Sequence, residues 1–159
     1  VKVVEKGMYP HASRSFLPAI CNNCENPICV RNCPTQATYA REDGIVMVDP
    51  HRCIGCKYCI ASCPYDVRYL SPFKKIVQKC LWCNHRVDAG LLPACVQTCP
   101  TGAMTFGDVN NPVSEISRLL ASNPVQVLKP EKDTRPHVFY IAADMVAMRT
   151  MGNAGEEKE

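Results

Sequence analysis

Cysteine is the residue type in this chain with the most chemistry to offer, and it accounts for 12 of the 159 residues. This share is several times the ordinary usage and needs a specific explanation. The cysteines form three groups of four, each closed by a Cys-Pro pair: Cys21-x2-Cys24-x4-Cys29-x3-Cys33, Cys53-x2-Cys56-x2-Cys59-x3-Cys63 and Cys80-x2-Cys83-x11-Cys95-x3-Cys99. Such cysteines can form disulfides, bind zinc or hold iron–sulfur clusters, and these possibilities predict different spacings.

The middle group has the spacing with which bacterial ferredoxins hold a four-iron cluster. Three cysteines two residues apart wrap a loop around three irons, while the fourth points away and binds the other cluster of a pair. Gly55 allows the loop to turn and to present amide groups to the cluster sulfurs. Pro64 then directs the polypeptide away from the site. We therefore expect the protein to bind [4Fe–4S] clusters through its cysteines.

Disulfides and zinc are the competing explanations. A secreted disulfide scaffold suits an even number of cysteines, but it does not require three groups that each end in Cys-Pro. Zinc sites join two Cys-x2-Cys pairs across a longer gap, which fits the third group in part and the second group poorly. A zinc-stabilised binding module is therefore the alternative of a different class. No nucleophile elbow, P-loop or dinucleotide fingerprint is present, so we expect no catalytic residues.

The charge balance argues against a nucleic-acid partner. The net charge is +3, from 18 basic and 15 acidic residues. A four-iron cluster with four thiolates carries a charge of about −2, so two clusters would bring the total to about −1. The basic surplus then offsets clusters. No stretch approaches the roughly 18 consecutive apolar residues of a membrane span, so we also expect no direct span.

Short elements are expected between and after the cysteine groups. Residues 38–40 and 45–49 flank an Asp-Gly turn and predict a hairpin. Residues 59–63 predict a helix of one or two turns before Pro64. Downstream, Ser114 is expected to cap a helix, and residues 125–128 and 138–141 have the composition of strands.

The three groups in this order resemble the iron–sulfur electron-transfer subunits of the dimethyl sulfoxide reductase family of molybdoenzymes. The polysulfide, thiosulfate and tetrathionate reductase iron–sulfur subunits belong to that family. The resemblance covers about residues 7–141 and is carried by residues 17–27, 41–46, 53–56, 63–65, 90–95 and 106–108.

The resemblance implies a fold and a function. The fold would be α+β, with a ferredoxin-like, pseudo-twofold multi-cluster domain at residues 1–107, a docking extension at 108–150 and a disordered tail at 151–159. The protein would be non-catalytic and would relay electrons between a quinone-reactive membrane subunit and a molybdopterin or tungstopterin catalytic subunit. It would be a peripheral, membrane-associated subunit, on the periplasmic rather than the cytoplasmic side. A free, diffusible polyferredoxin is the alternative of similar chemistry.

The resemblance also assigns cluster ligands. Cluster one would be held by Cys21, Cys24, Cys29 and Cys63. Cluster two would be held by Cys53, Cys56, Cys59 and Cys33. A third cluster would use Cys80, Cys83 and Cys95, and its fourth ligand is open, while Cys99 would serve either that cluster or a further one.

The family usually has a fourth cysteine group upstream of the position of Cys21, and this sequence does not contain it. Three explanations are open. The sequence is part of a longer chain, Cys99 closes the third cluster, or another polypeptide supplies the missing group. We expect the first, because Val1 is not a natural start.

Overall fold

The computed structural model describes residues 1–149, and the predicted disordered tail at 151–159 lies outside the described residues. The secondary structure is short throughout this range. The strands are Lys2–Lys6 (β1), Ser13–Leu17 (β2), Thr38–Ala40 (β3), Val46–Val48 (β4), Tyr69–Leu70 (β5), Val77–Gln78 (β6), Val125–Gln126 (β7) and Tyr140–Ile141 (β8). The helices are Ile28–Arg31 (α1), Tyr58–Ala61 (α2), Asn84–Val87 (α3), Ala94–Gln97 (α4), Glu115–Ser122 (α5) and Met145–Arg149 (α6), with a 3₁₀ turn at Pro130–Lys132.

The strands pair as four separate antiparallel ladders, β1 with β2, β3 with β4, β5 with β6, and β7 with β8. Short ladders alternating with short helices make the fold a mixed α+β one, as the sequence predicted. The finer expectation of a pseudo-twofold domain stays a prediction. Within residues 1–149 we find no helix with the length and apolarity that crossing a bilayer demands.

The hairpin between the first two cysteine groups is confirmed. Thr38 lies opposite Val48 and Ala40 opposite Val46. At the turn, the Ile45 amide donates to the Asp43 carboxylate over 3.1 Å. Gly44 has a φ of 82°, a conformation that glycine adopts without strain. The hairpin buries Val46 of its second strand and connects the first cysteine group to the middle group.

The other predicted elements, two helices and two strands, are also confirmed, some with altered lengths. The helix after the middle loop is the single turn α2. Ser114 caps α5 by accepting a hydrogen bond from the Ser117 amide at 3.2 Å. The strands predicted at 125–128 and 138–141 are in place, but each pairs over only two residues. The first ends at Gln126, and Leu128, two residues later, is buried in the core.

The main apolar core joins segments from both ends of the described sequence. It consists of Leu17, Tyr65, Leu128, Ala147 and Met148. The Tyr65 hydroxyl donates to the Leu128 carbonyl oxygen over 3.3 Å and shares a hydrogen bond with the Thr134 hydroxyl. Tyr65 lies two residues after Cys63, the last cysteine of the middle group. The core therefore fixes the C-terminal segment against the cysteine loops.

We expect Tyr65→Phe to lower the free energy of unfolding by about 1–2 kcal/mol, because the Leu128 carbonyl would lose its buried donor. Anaerobic urea denaturation, followed by circular dichroism, measures this. Tyr58→Phe is the matched control, because the Tyr58 side chain is 60% exposed. Equal losses in the two variants would contradict the role given to the Tyr65 hydroxyl.

Candidate metal centre

All twelve cysteines are free thiols in the structure. Four of them line one cavity: Cys21, Cys24, Cys29 and Cys63. Burial, together with the other three cysteines of the set, raises the pKa of the Cys24 thiol to about 11. Three members come from the first sequence group and one comes from the second. The fold thus brings together the set assigned to cluster one, although its role as a ligand set stays a prediction.

Local structure explains how this set is positioned. Asn23, between Cys21 and Cys24, has a φ of 41°, which bends the loop tightly. Cys29 lies on the one-turn helix α1, which begins after Pro27. Cys63 follows α2, and its amide donates to the Ile60 carbonyl over 3.2 Å. Each sulfur is therefore carried by a turn or a helix end.

A second set of cysteines lies around the middle loop. Burial raises the pKa of the Cys59 thiol, and Cys33 and Cys53 act on it in the same direction. The Val77 amide donates to the Cys53 sulfur over 3.4 Å. Cys56 is exposed on the same loop. Cys33 thus approaches cysteines of the middle group, in keeping with the assignment to cluster two.

The third group extends this arrangement on the side of the first cysteine set. Burial raises the pKa of the Cys80 thiol, and the electrostatic neighbours of this thiol include Cys21 and Cys95. The structure therefore places the start of the third group beside the first group. Cys83, at the residue before α3, has a left-handed φ of 52°.

Cys99 repeats the local structure of Cys33. Each cysteine follows a one-turn helix, and each sulfur lies 3.7 Å from a threonine hydroxyl two residues later. The Thr101 hydroxyl lowers the pKa of the Cys99 thiol, and backbone amides act in the same direction. Burial opposes ionisation of the Cys33 thiol, but backbone and hydroxyl donors outweigh it and lower the pKa. Both sulfurs therefore face donors that favour the thiolate.

Two buried polar side chains point to a group with acceptor atoms in the cavity. Asn22 is 1% exposed, and neither its amide nitrogen nor its amide oxygen has a hydrogen-bond partner among the described residues. The Ser62 hydroxyl is also buried and likewise has no hydrogen-bond partner among the described residues. Both residues line the cavity of the first cysteine set. Unpaired buried donors are costly, whereas the sulfurs of a bound cluster would accept hydrogen bonds from them. The donor set therefore fits a [4Fe–4S] cluster.

The segment expected to serve as a docking extension also supports the first cysteine loop. The Thr134 hydroxyl lines the cavity of this loop and opposes the rise that burial causes in the pKa of the Cys24 thiol. The amides of Glu25 and Asn26 donate to the carbonyls of Arg135 and Thr134 over 2.9 and 3.1 Å. No sequence signal marks these contacts, because they join positions more than a hundred residues apart.

Two of the basic residues near the cysteines are buried. Arg68 is 4% exposed and Lys79 is 8% exposed, whereas Lys57, Lys74 and Lys75 are exposed. Burial disfavours the charged form of Arg68, but the Cys29, Cys59 and Cys21 thiolates outweigh it and raise the pKa. Burial lowers the pKa of Lys79.

A family model described as a 4Fe-4S dicluster domain matches residues 12–109. The protein belongs to this family. It is 52% identical over 131 residues to a tetrathionate reductase subunit of Salmonella typhimurium, and the match covers 81% of this chain and 52% of that protein. It is 48% identical over 122 residues to a polysulfide reductase chain of Wolinella succinogenes, and the match covers 76% of this chain and 64% of that protein.

A third relative is a putative dimethyl sulfoxide reductase iron-sulfur subunit of Halobacterium salinarum, which is 40% identical over 82% of this chain and 56% of that protein. The protein thus spans between half and two thirds of the length of these relatives. The predicted resemblance is confirmed, and so is the class of cofactor, the [4Fe–4S] cluster. The zinc and disulfide alternatives lose their support.

We expect Gly55→Ala to disrupt the middle cysteine loop. Gly55 has a φ of 68°, and an added Cβ would lie 2.3 Å from the Lys75 carbonyl oxygen. Gly90 has a similar φ of 74°, but an added Cβ there would meet no atom within 4 Å. Gly90→Ala is therefore the matched control, because it shares the conformational strain without the collision.

Iron analysis of anaerobically purified protein measures the effect. Gly55→Ala should lose about four irons per chain, the content of one cluster, while Gly90→Ala keeps them. Full iron content in Gly55→Ala, or the same loss in both variants, would contradict the proposed role of this close approach.

Proposed function

We propose that the protein is a non-catalytic electron-transfer subunit of an oxidoreductase. It relays electrons through [4Fe–4S] clusters between a quinone-reactive membrane subunit and a molybdopterin or tungstopterin catalytic subunit. The names of its relatives, components of tetrathionate, polysulfide and dimethyl sulfoxide reductases, support this class of complex. The observation that carries the proposal is the contiguity of three cysteine sets within one small fold.

The first part of the proposal concerns the two crossed clusters. Cluster one is held by Cys21, Cys24, Cys29 and Cys63, which line one cavity. Cluster two is held by Cys53, Cys56, Cys59 and Cys33, and the electrostatic proximity of Cys59 to Cys33 and Cys53 supports this set. With thiolates on every iron, neither cluster has an open coordination position. This favours electron transfer over Lewis-acid catalysis.

The second part concerns the remaining cysteines. Cys80, Cys83 and Cys95 contribute to a third cluster. The likeness of Cys99 to Cys33 favours a place for Cys99 in a further cluster, because Cys33 serves a set other than that of its own sequence neighbours. The missing ligands would come from a longer form of this chain or from another polypeptide. Closure of the third cluster by Cys99 is the competing assignment.

The clusters would form a wire in the order two, one, three. Arg68 contacts Cys29 of the first set and also interacts electrostatically with Cys59 of the second set. Cys80 of the third group interacts electrostatically with Cys21. Neighbouring sets are therefore joined by side chains in direct or near contact, and an electron can pass along the series.

The surface around cluster two has the features of a docking surface. Cys56 is exposed there, next to the exposed Lys57, and the backbone of Lys75 packs against the loop at Gly55. Phe73, two residues before Lys75, is 93% exposed. Asp66 is the only acidic residue between residues 50 and 87. A redox partner with an acidic surface would bring its own centre close to cluster two.

We propose that residues 108–150 form an extension of the cluster domain at 1–107, and that its exposed side chains, such as Val113, contact a partner. The subunit would be peripheral, on the periplasmic side of a membrane. The family resemblance supports this location. The packing of the extension into the core favours a complex subunit over a diffusible polyferredoxin.

Isolation of the tagged protein from native membranes under anaerobic conditions tests the relay. We expect a co-purifying large chain that contains molybdenum or tungsten, and visible bleaching of the clusters when a reduced quinone analogue is added. Elemental analysis and absorption spectroscopy provide these readouts. Iron-loaded protein without a molybdenum or tungsten partner would support the diffusible alternative. Bound zinc without acid-labile sulfide would contradict the electron-transfer proposal as a whole.

Serine variants test the crossed ligand sets. We expect Cys63→Ser to remove the same electron paramagnetic resonance signal as Cys21→Ser. Cys33→Ser should remove the signal that Cys53→Ser removes, because each serine withdraws one thiolate from a four-thiolate set. If Cys63→Ser and Cys53→Ser instead remove one and the same signal, the middle group closes its own cluster and the crossed assignment is wrong.

A further inference from the structure

A buried arginine lies between the two crossed cysteine sets. The Arg68 Nη2 atom donates to the Cys29 sulfur over 2.9 Å. Nη1 of the same guanidinium donates to the Thr38 hydroxyl over 3.4 Å, and the guanidinium also interacts electrostatically with the Cys59 sulfur. Cys29 belongs to the set of cluster one and Cys59 to the set of cluster two. A single buried cation therefore contacts a ligand sulfur of one proposed cluster and interacts electrostatically with a ligand sulfur of the other.

We propose that Arg68 is a positioning residue shared by both clusters, which raises their two reduction potentials together and so keeps them close to each other. This inference rests on the proposed relay function. It concerns a property that the ligand sets alone do not determine, namely how evenly an electron is distributed between the two clusters.

The physical basis is the charge that an electron brings. Each one-electron reduction adds one negative charge to a cluster and its thiolates, and the electron comes from the redox partner. Arg68 keeps its proton throughout, so the side chain supplies a constant positive charge. In the poorly screened interior this charge favours the reduced state. Donation of N–H groups to the ligand sulfurs acts in the same direction.

The planar fork of the guanidinium explains why one residue can serve two clusters. An arginine presents several N–H groups in fixed directions, whereas a lysine presents a compact point charge. Because Arg68 reaches Cys29 and Cys59 at once, removing it affects both potentials. A cation on one side of the pair would shift the reduction potential of one cluster only, and the potentials of the two clusters would then differ more.

Lys79 is the natural comparison, because it is the other buried cation within residues 1–149 and lies on one side of the pair. Its Nζ atom donates to the Asn23 side-chain oxygen over 3.1 Å and to the Cys80 carbonyl over 2.8 Å. Its cysteine neighbours are Cys21, Cys29 and Cys80. These belong to cluster one and to the third group. Lys79 should therefore act on cluster one without acting on cluster two.

Potentiometric titration, monitored by electron paramagnetic resonance, tests the inference on the anaerobically isolated holo-protein with its co-purifying subunits. The signals of clusters one and two are assigned from their loss in Cys63→Ser and Cys33→Ser. Arg68→Met should lower both reduction equilibrium constants by about tenfold, which is about 59 mV for a one-electron couple. Lys79→Met should lower the potential of cluster one and leave that of cluster two unchanged.

Arg68→Lys separates the charge from a merely structural role. The lysine keeps the positive charge but lacks the planar, forked guanidinium. Both reduction potentials should therefore lie between those of the wild type and those of Arg68→Met. Iron content is measured first, and if Arg68→Met loses its clusters, Arg68→Lys decides alone. A fall in only one potential, or no shift in a variant with full iron, overturns the inference.

The outcome is distinguishable from that of the relay proposal. Potentials that shift as expected in a protein without a molybdenum or tungsten partner would support the role of Arg68 and contradict the relay. If the complex passes electrons normally but the Arg68 variants leave the potentials unchanged, the relay is supported and the role of Arg68 is contradicted.

Discussion

The gathering of many thiolates in a small, partly buried volume is the constraint on which this structure depends. Burial, together with the neighbouring cysteines, raises the pKa of the Cys24 thiol to about 11. Negative charge is tolerable there only where cations and N–H or O–H groups face the sulfurs. This need is met by the cations Arg68 and Lys79, by the Thr134 hydroxyl, and by the backbone amides that follow Cys33 in the sequence. The fold around the cysteines is arranged to supply them.

The same constraint explains why regular secondary structure is so short. A loop that must present several sulfurs and amides to one point cannot continue as a helix or a strand, so Cys29, Cys59 and Cys95 each lie on a helix of a single turn. Little apolar surface is left for a large core. Ligation therefore contributes to folding itself, because metal binding and folding are coupled in such small domains.

Long-range contacts compensate for the small core. The C-terminal segment packs its buried side chains beside Leu17 and Tyr65, and its backbone pairs with the loop that carries Cys24. Asp144 accepts hydrogen bonds from Lys6 at 2.5 Å and from Ser15 at 2.6 Å, which ties the end of the described range to the first hairpin. The part of the sequence without cysteines thus holds the part with them in place.

The sequence by itself determined the class of cofactor, the cysteine groups, the hairpin at Thr38–Ala40 and Val46–Val48, and the helix capped by Ser114. These features are local, because a few neighbouring residues specify a ligand loop, a turn or a cap. Only the tertiary structure decided that Arg68 and Lys79 are buried while Lys57 is exposed, and that Asn22, Ser62 and Thr134 surround the first cysteine set. These outcomes depend on which distant segments meet, and a basic or polar residue has the same appearance in a sequence whether it is solvated or buried beside a sulfur.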